Sequence, residues 1–93
     1  MPGPVQRVGD SNIFGGTIIS GDPTVLVNGR PVATLGEVVT PHFNCSTVHI
    51  HCIARTTSTN PTVLVNGIPI CTSGDLDTCF DNRLGGSFDV RVG

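Results

Sequence analysis

Apolar and polar positions alternate in short runs that recur along this chain. The stretch Pro-Thr-Val-Leu-Val-Asn-Gly occupies residues 23–29 and, unchanged, residues 61–67. Asn-Gly tolerates the two positive φ angles of a type I′ turn. After each turn the chain resumes with a short run that has proline at its second position, as edge strands allow. The pattern predicts two β-hairpins, over roughly residues 23–35 and 61–72.

The same unit recurs in weaker form elsewhere in the chain. Gly86–Gly93 repeats the alternation and the terminal glycine of the hairpin motif. A glycine–acid pair also recurs, as Gly9-Asp10, Gly36-Glu37 and Gly74-Asp75. A fixed repeat indicates one supersecondary unit used several times, and no stretch has the apolar period of an amphipathic helix. The sequence therefore predicts an all-β chain with internal pseudo-threefold symmetry.

Composition limits the classes of function. With 93 residues, 12 of them glycine and 7 proline, the chain predicts one turn-rich domain over 1–93 whose small core needs a metal or a partner subunit. The net charge of −2 and the absence of lysine leave no basic face for nucleic acid. No apolar run approaches the roughly 20 residues of a membrane span. The start at Met1 does not resemble a signal peptide, which predicts synthesis in the cytoplasm.

Histidine and cysteine are concentrated in one segment. All three histidines and two of the four cysteines lie between Glu37 and Thr59. His49 and His51 are two residues apart, so on a strand both imidazoles would point to the same side. Nitrogen and sulfur donors favour zinc or iron. The spacing alone leaves alternatives open: the cysteines could form two disulfides, and Cys71, in a strand, is typical of a small buried apolar residue.

Two further groups are candidates for chemistry. Asp75, Asp77 and Asp81 could assist a metal, although aspartates in such turns are usually solvated turn formers, and this is what we predict. Cys45 or Cys52 with a neighbouring histidine could form a nucleophile pair. No orienting third residue or oxyanion loop accompanies it. We therefore expect no enzymatic activity.

The repeated motifs resemble the PAAR-repeat family over nearly the whole chain. The resemblance lies in Gly9-Asp10, Gly15-Gly16, the doubled hairpin motif and the His/Cys-rich spacer. The tetrapeptide that names the family appears in altered form at 31–34 and 69–72. The resemblance implies a small cone of β-hairpins with a metal near its tip, usually zinc, with iron as the alternative. It implies a structural, membrane-piercing tip that caps a trimeric β-helical spike of a contractile injection system, in type VI secretion or in a phage tail.

The resemblance also implies specific ligands and partners. Carried onto this sequence, the metal ligands are His42, His49, His51 and Cys79, and Cys45 or Cys52 could replace His49. The implied partners are the trimeric spike, at one chain per trimer, effector cargo and, transiently, a target membrane, with no nucleic acid. The repeat fills both ends of the chain, so we expect no effector extension. Assembly at the spike tip or tail baseplate would be followed by delivery outside on contraction. The alternative function is a free-standing zinc-binding β-domain that acts as an intracellular adaptor.

Overall fold

A computed structural model describes residues 3–42, 45–47, 49–60, 62–87 and 89–92. The strands are β1 (Gly3–Pro4), β2 (Asp22–Val27), β3 (Arg30–Val32), β4 (Leu64–Val65), β5 (Ile68–Pro69) and β6 (Arg91–Val92). One 3-10 helix covers His49–His51. The molecule measures 36 × 24 × 22 Å along its principal axes. Among the described residues, no helix has the length and apolar character needed to cross a membrane.

Both predicted hairpins are present. β2 pairs antiparallel with β3, and β4 pairs antiparallel with β5. Asn28 and Asn66 have φ angles of 54° and 50°, and the glycines that follow them have φ angles of 79° and 81°. These are the positive values that a type I′ turn requires. The regular strands are shorter than the predicted hairpins, and Pro61 lies outside the described residues.

Strands near the two ends of the chain pair in the same way as the hairpin strands, but no turn connects them. β1 pairs antiparallel with β6, so that Gly3 lies opposite Val92 and Pro4 lies opposite Arg91. In the first hairpin Pro31 lies opposite Leu26 in the same way. The predicted partial third copy is therefore confirmed for its described residues; Phe88 and Gly93 lie outside them.

A closed ring of backbone hydrogen bonds joins the three repeating units of the chain, which begin at residues 4, 31 and 69 and are called the first, second and third unit. Ala33 N donates to Gln6 O (2.9 Å), Cys71 N donates to Ala33 O (3.0 Å), and Gln6 N donates to Cys71 O (3.0 Å). All three residues are fully buried. The ring confirms the predicted pseudo-threefold symmetry. It also reveals a third divergent copy of the tetrapeptide at residues 4–7, which sequence reasoning missed.

The same glycine–acid turn follows the ring in every unit. In each turn the acidic side chain accepts a hydrogen bond from the backbone N–H three residues earlier: Asp10 from Arg7 (2.7 Å), Glu37 from Thr34 (3.3 Å) and Asp75 from Thr72 (3.0 Å). The glycines in these turns have φ angles of 91–94°, which L-residues rarely adopt. Three equivalent turns thus reverse the chain and lead away from the hairpins.

The core has one part on each side of the ring. On the hairpin side, two sets of threefold-related residues pack together: Val5, Val32 and Ile70, and Val27, Val65 and Val92. On the other side the buried cluster contains Ile18, Ala33, Val39, Ala54, Cys71 and Cys79. Full burial of one such aliphatic side chain contributes about 1.5–3 kcal/mol. The second cluster supports the site described next.

Candidate metal centre

One of the three units carries an insertion at its far end. Beyond the glycine–acid turns, each unit folds back through an equivalent backbone hydrogen bond: Asn12 N to Gly16 O (2.9 Å), Val39 N to Ala54 O (3.1 Å) and Asp77 N to Asp81 O (2.9 Å). The paired residues are four apart in the first and third units and fifteen apart in the second. Residues 40–53 therefore form an insertion, which we call the tip insertion.

Four donor side chains converge beside the tip insertion. His42 and His51 come from the insertion, and Cys79 and Asp81 come from the short turn of the third unit; their donor atoms all lie within 4.8 Å of one another. Asp81 Oδ2 is 2.9 Å from His42 Nε2, 3.1 Å from His51 Nδ1 and 3.3 Å from Cys79 Sγ. His42 Nε2 is 3.2 Å from His51 Nδ1 and 3.4 Å from Cys79 Sγ. Tetrahedral zinc, with bonds of about 2.0–2.3 Å, places its donors about 3.3–3.7 Å apart. The separations of 2.9–3.4 Å lie at or just below this range, so small shifts of the side chains would let them share one ion.

A hydrogen bond to the backbone fixes the orientation of His42 and aims one ring nitrogen at the cluster. His42 Nδ1 lies 2.7 Å from the carbonyl oxygen of Thr40. A carbonyl oxygen only accepts, so Nδ1 carries a proton and Nε2 is the ring nitrogen left to face the cluster. His42 Nε2 faces the Asp81 carboxylate at 2.9 Å, and both side chains are buried. Two acceptors at this distance need a proton or a metal ion between them, and an imidazole held by a backbone carbonyl is typical of metal ligands.

Asn12 supports the cluster from the first unit. Its Oδ1 accepts from the backbone N–H groups of Phe14 (3.0 Å) and Gly16 (2.8 Å). This orients its Nδ2, which donates to Asp77 Oδ2 at 2.8 Å and lies 3.4 Å from His42 Nε2. A Cβ at Gly16 would lie 2.6 Å from His42 Nδ1 and 2.7 Å from Asn12 Nδ2. Glycine is therefore required at position 16 for His42 to approach.

A buried ion pair lies next to this support. Arg83 Nη2 is 3.3 Å from Asp77 Oδ2, and both side chains are fully buried. Burial raises the pKa of Asp77 and lowers the pKa of Arg83. Arg83 also donates to the backbone oxygens of Gly16 (2.6 Å) and Asp10 (3.4 Å). The guanidinium therefore joins the first unit to the third beneath the donor cluster.

A family model described as PAAR motif matches residues 8–81 of the 93. The chain belongs to the PAAR-motif family. A search of curated proteins returned no match. This family is structural and not enzymatic. Membership supports a spike-tip role in contractile injection systems for this chain. It also confirms the predicted fold class, and the PAAR chain contains a His/Cys/Asp cluster that could bind a metal.

The cluster of this PAAR chain contains three of the four ligands predicted from sequence. His42, His51 and Cys79 lie together, whereas His49 is exposed and lies outside the cluster. The two imidazoles would point to the same side on a strand, but residues 49–51 form a 3-10 helix. In such a helix, residues two apart do not share a face. This explains why His51 is buried while His49 faces solvent.

The cysteines separate into three kinds. Cys45 and Cys52, the predicted substitutes for His49, are joined in a disulfide. Cys71 and Cys79 are free and buried, so the alternative of two disulfides is wrong for this structure. Burial raises the pKa of the Cys71 thiol to about 12. Cys71 lies in the ring and outside the donor cluster, which confirms its prediction as a small buried residue.

Asp81 belongs to the donor cluster, although the sequence predicted a solvated side chain at this position. The three turn aspartates were predicted to be solvated, but Asp75 and Asp77 are 1% exposed and Asp81 is 4% exposed. The prediction is wrong because each carboxylate contacts a polar group inside the fold. Asp75 accepts from the backbone of its own turn, Asp77 accepts from Asn12, and Asp81 faces the histidines. The available signal was the spacing of Cys79 and Asp81 within one short turn.

Proposed function

We propose that this PAAR chain caps a trimeric β-helical spike, at one chain per trimer, and that a bound metal ion holds its tip together. The observation that carries the proposal is the backbone ring of Gln6, Ala33 and Cys71, which repeats one unit three times around an axis. A chain with this symmetry can present three similar surfaces to three identical subunits. Family membership supports the same role.

The hairpin side of the ring supplies the proposed docking surface. Three threefold-related valines have nearly equal exposure: Val25 39%, Val63 36% and Val90 39%. Leu26 and Leu64 are exposed at a second set of equivalent positions, and Arg91 is the third member. Apolar side chains repeated around an axis favour a partner of matching symmetry.

The proposed metal joins two units that the chain connects only distantly. His42 and His51 would hold it from the tip insertion, and Cys79 and Asp81 would hold it from the third unit. Two nitrogens, one sulfur and one carboxylate oxygen suit zinc, and iron accepts the same donors. The ion would supply a cross-link and no reaction, because the role we propose for the tip is structural. Metal-binding energy would then be folding energy for the tip.

Exposed apolar residues at the far end support transient contact with a target membrane. Phe80 and Ile53 are each 75% exposed, and Phe14 is 44% exposed. They come from the third, second and first units respectively, so they surround the tip. Side chains of this kind can enter the apolar part of a bilayer at low cost. We propose that the chain is synthesised in the cytoplasm and assembled at the tip of a type VI spike or a phage tail. Contraction would then deliver it outside. Effector cargo is a further proposed partner.

The test is complex formation with a trimeric β-helical spike protein from the source organism. Native mass spectrometry should detect one chain per spike trimer. The double variant Leu26→Asp/Leu64→Asp should abolish the complex, whereas Ile53→Asp, a matched change at the opposite end, should retain it. A chain that stays monomeric with every such spike, and whose docking variant behaves like the wild type, would favour the free-standing adaptor instead.

A further inference from the structure

The tip insertion holds both imidazoles of the donor cluster, although most of its described residues are exposed or half-buried. Its exposed residues include Ser46, Thr47, His49, Ile50 and Ile53. His51 is buried, and His42 N donates to His51 O at 3.3 Å. A segment with few buried contacts opens at a low free-energy cost. The position of the two imidazoles therefore depends on more than side-chain packing.

The Cys45–Cys52 disulfide lies next to both histidines. Cys45 N donates to His42 O at 2.9 Å, and Cys52 directly follows His51 in the chain. The Cα atoms of the two cysteines are 4.9 Å apart. His42 and His51 are nine residues apart in sequence, yet their ring nitrogens lie 3.2 Å apart. The disulfide thus connects the chain beside one imidazole to the chain beside the other.

We propose that the Cys45–Cys52 disulfide positions His42 and His51 for the metal, so that disulfide formation and metal binding favour each other. The inference rests on the metal centre proposed above. A cross-link that brings the two ends of the insertion together removes conformations in which the imidazoles are apart, and this lowers the ordering cost of binding. Coupling between two such events is reciprocal. A bound metal must therefore favour the disulfide by the same factor.

The redox step is thiol–disulfide exchange. Two S–H bonds of Cys45 and Cys52 break and one S–S bond forms, while two electrons and two protons pass to a small-molecule disulfide such as oxidised glutathione, which yields two thiols. In the reduced chain the insertion keeps only its non-covalent contacts. The imidazoles of His42 and His51 are then held less closely, and the ion is bound more weakly.

The first experiment measures zinc affinity by competition with a chromogenic chelator, on the full-length chain freed of metal. Oxidised wild type is compared with the double variant Cys45→Ser/Cys52→Ser. We expect the double variant to bind one zinc per chain about tenfold more weakly. Cys71→Ala, which removes a free buried thiol outside the cluster, is the matched control and should leave the affinity unchanged.

The second experiment uses the wild-type chain alone, so it remains decisive if the serine variant does not fold. The Cys45–Cys52 pair is equilibrated in glutathione buffers with and without saturating zinc, then alkylated and quantified by mass spectrometry. A tenfold coupling lowers the reduction potential of the pair by about 30 mV when zinc is bound.

Three results would count against the inference in different ways. Equal zinc affinity together with an unchanged potential would overturn it. Tighter zinc binding by the reduced wild type would also overturn it, since one of the two thiolates would then be a ligand. If the oxidised wild type binds no zinc, the metal centre itself is wrong and the coupling falls with it, an outcome that the stoichiometry separates from the other two.

Discussion

The side-chain amide of Asn28, in the first hairpin turn, donates to the Asp89 carboxylate near the end of the chain at 2.8 Å. The second hairpin repeats the contact, since Asn66 donates to Asp22 of the first unit at 2.6 Å. Each turn asparagine therefore sets its own positive-φ turn and also binds the neighbouring unit. These contacts tie the three hairpins together outside the ring.

We predict an acid-dependent loss of this contact. The hydrogen bond from Asn28 lowers the pKa of Asp89, with a further contribution from Ser87. A lowered folded-state pKa gives stability that is present above the ordinary aspartate pKa, about 3.9, and is lost as the pH falls through the lower value. Between pH 5 and pH 2, metal-free wild type should therefore lose more stability than Asp89→Asn, as measured by urea unfolding. Parallel pH profiles for the two proteins would contradict this role of Asp89.

Removing a proposed ligand should cost both the metal and stability. His51→Ala or Cys79→Ala should abolish the bound zinc, and each should lower the melting temperature about as far as a chelator lowers that of the wild type. Cys71→Ala removes an equally buried thiol from the ring and should cost at most a few kcal/mol, with zinc retained. Elemental analysis and calorimetry measure the two effects. Equal metal loss in all three variants would remove the basis of the assignment.

The fourth ligand can be decided by a pair of substitutions. Asp81→Asn keeps the shape of the side chain and removes its charge, so we expect zinc affinity to fall by at least about tenfold. His49→Ala changes an exposed side chain and should leave the affinity as it is. A chelator competition assay on both variants gives the answer. The reverse order of effects would restore His49 to the ligand set and remove Asp81 from it.

Gly16 should be as important to the site as a ligand. In Gly16→Ala the new Cβ would meet His42, Asn12 and Val39 at 2.6–2.8 Å. We therefore expect weaker zinc binding and a loss of about 1–3 kcal/mol in unfolding free energy. Gly15→Ala is the matched control, because that site is open but has a φ of 83°, which costs about 1 kcal/mol without touching the cluster. Unchanged zinc affinity in Gly16→Ala would show that His42 can bind from another position.

Local chemistry explains what could be predicted from the sequence. Asn28 and Asn66 each precede a glycine, and Asn-Gly specifies its turn with little help from the rest of the chain. The repeat of that turn, together with the partial copy at residues 86–93 and the three glycine–acid pairs, predicted the threefold arrangement. The third copy of the tetrapeptide, at residues 4–7, could not be recognised from the sequence. Its Gln6 and Arg7 share no side-chain chemistry with Ala33 and Thr34, which occupy the equivalent positions. Their equivalence lies in the backbone ring, which a comparison of residue types does not detect.

The donor cluster depends on contacts between distant parts of the chain. The pairing of His49 with His51 assumed a strand, whereas the tip insertion folds this segment as a 3-10 helix. Asp81 was predicted to be solvated because aspartates in isolated turns are usually exposed to solvent. Its burial follows from the insertion of the second unit packing against the third, a contact that spans 39 residues between His42 and Asp81. Spacing within one segment carries no information about such a contact.

The ring of Gln6, Ala33 and Cys71 has a mechanical consequence. Each of these three residues is hydrogen-bonded through its backbone to both of the others, so none of the three segments has a free edge at this level. A load on the proposed tip would therefore be shared among three backbone segments. Separating one segment requires its bonds to both neighbours to break together, so the ring resists the stepwise opening that a free edge permits.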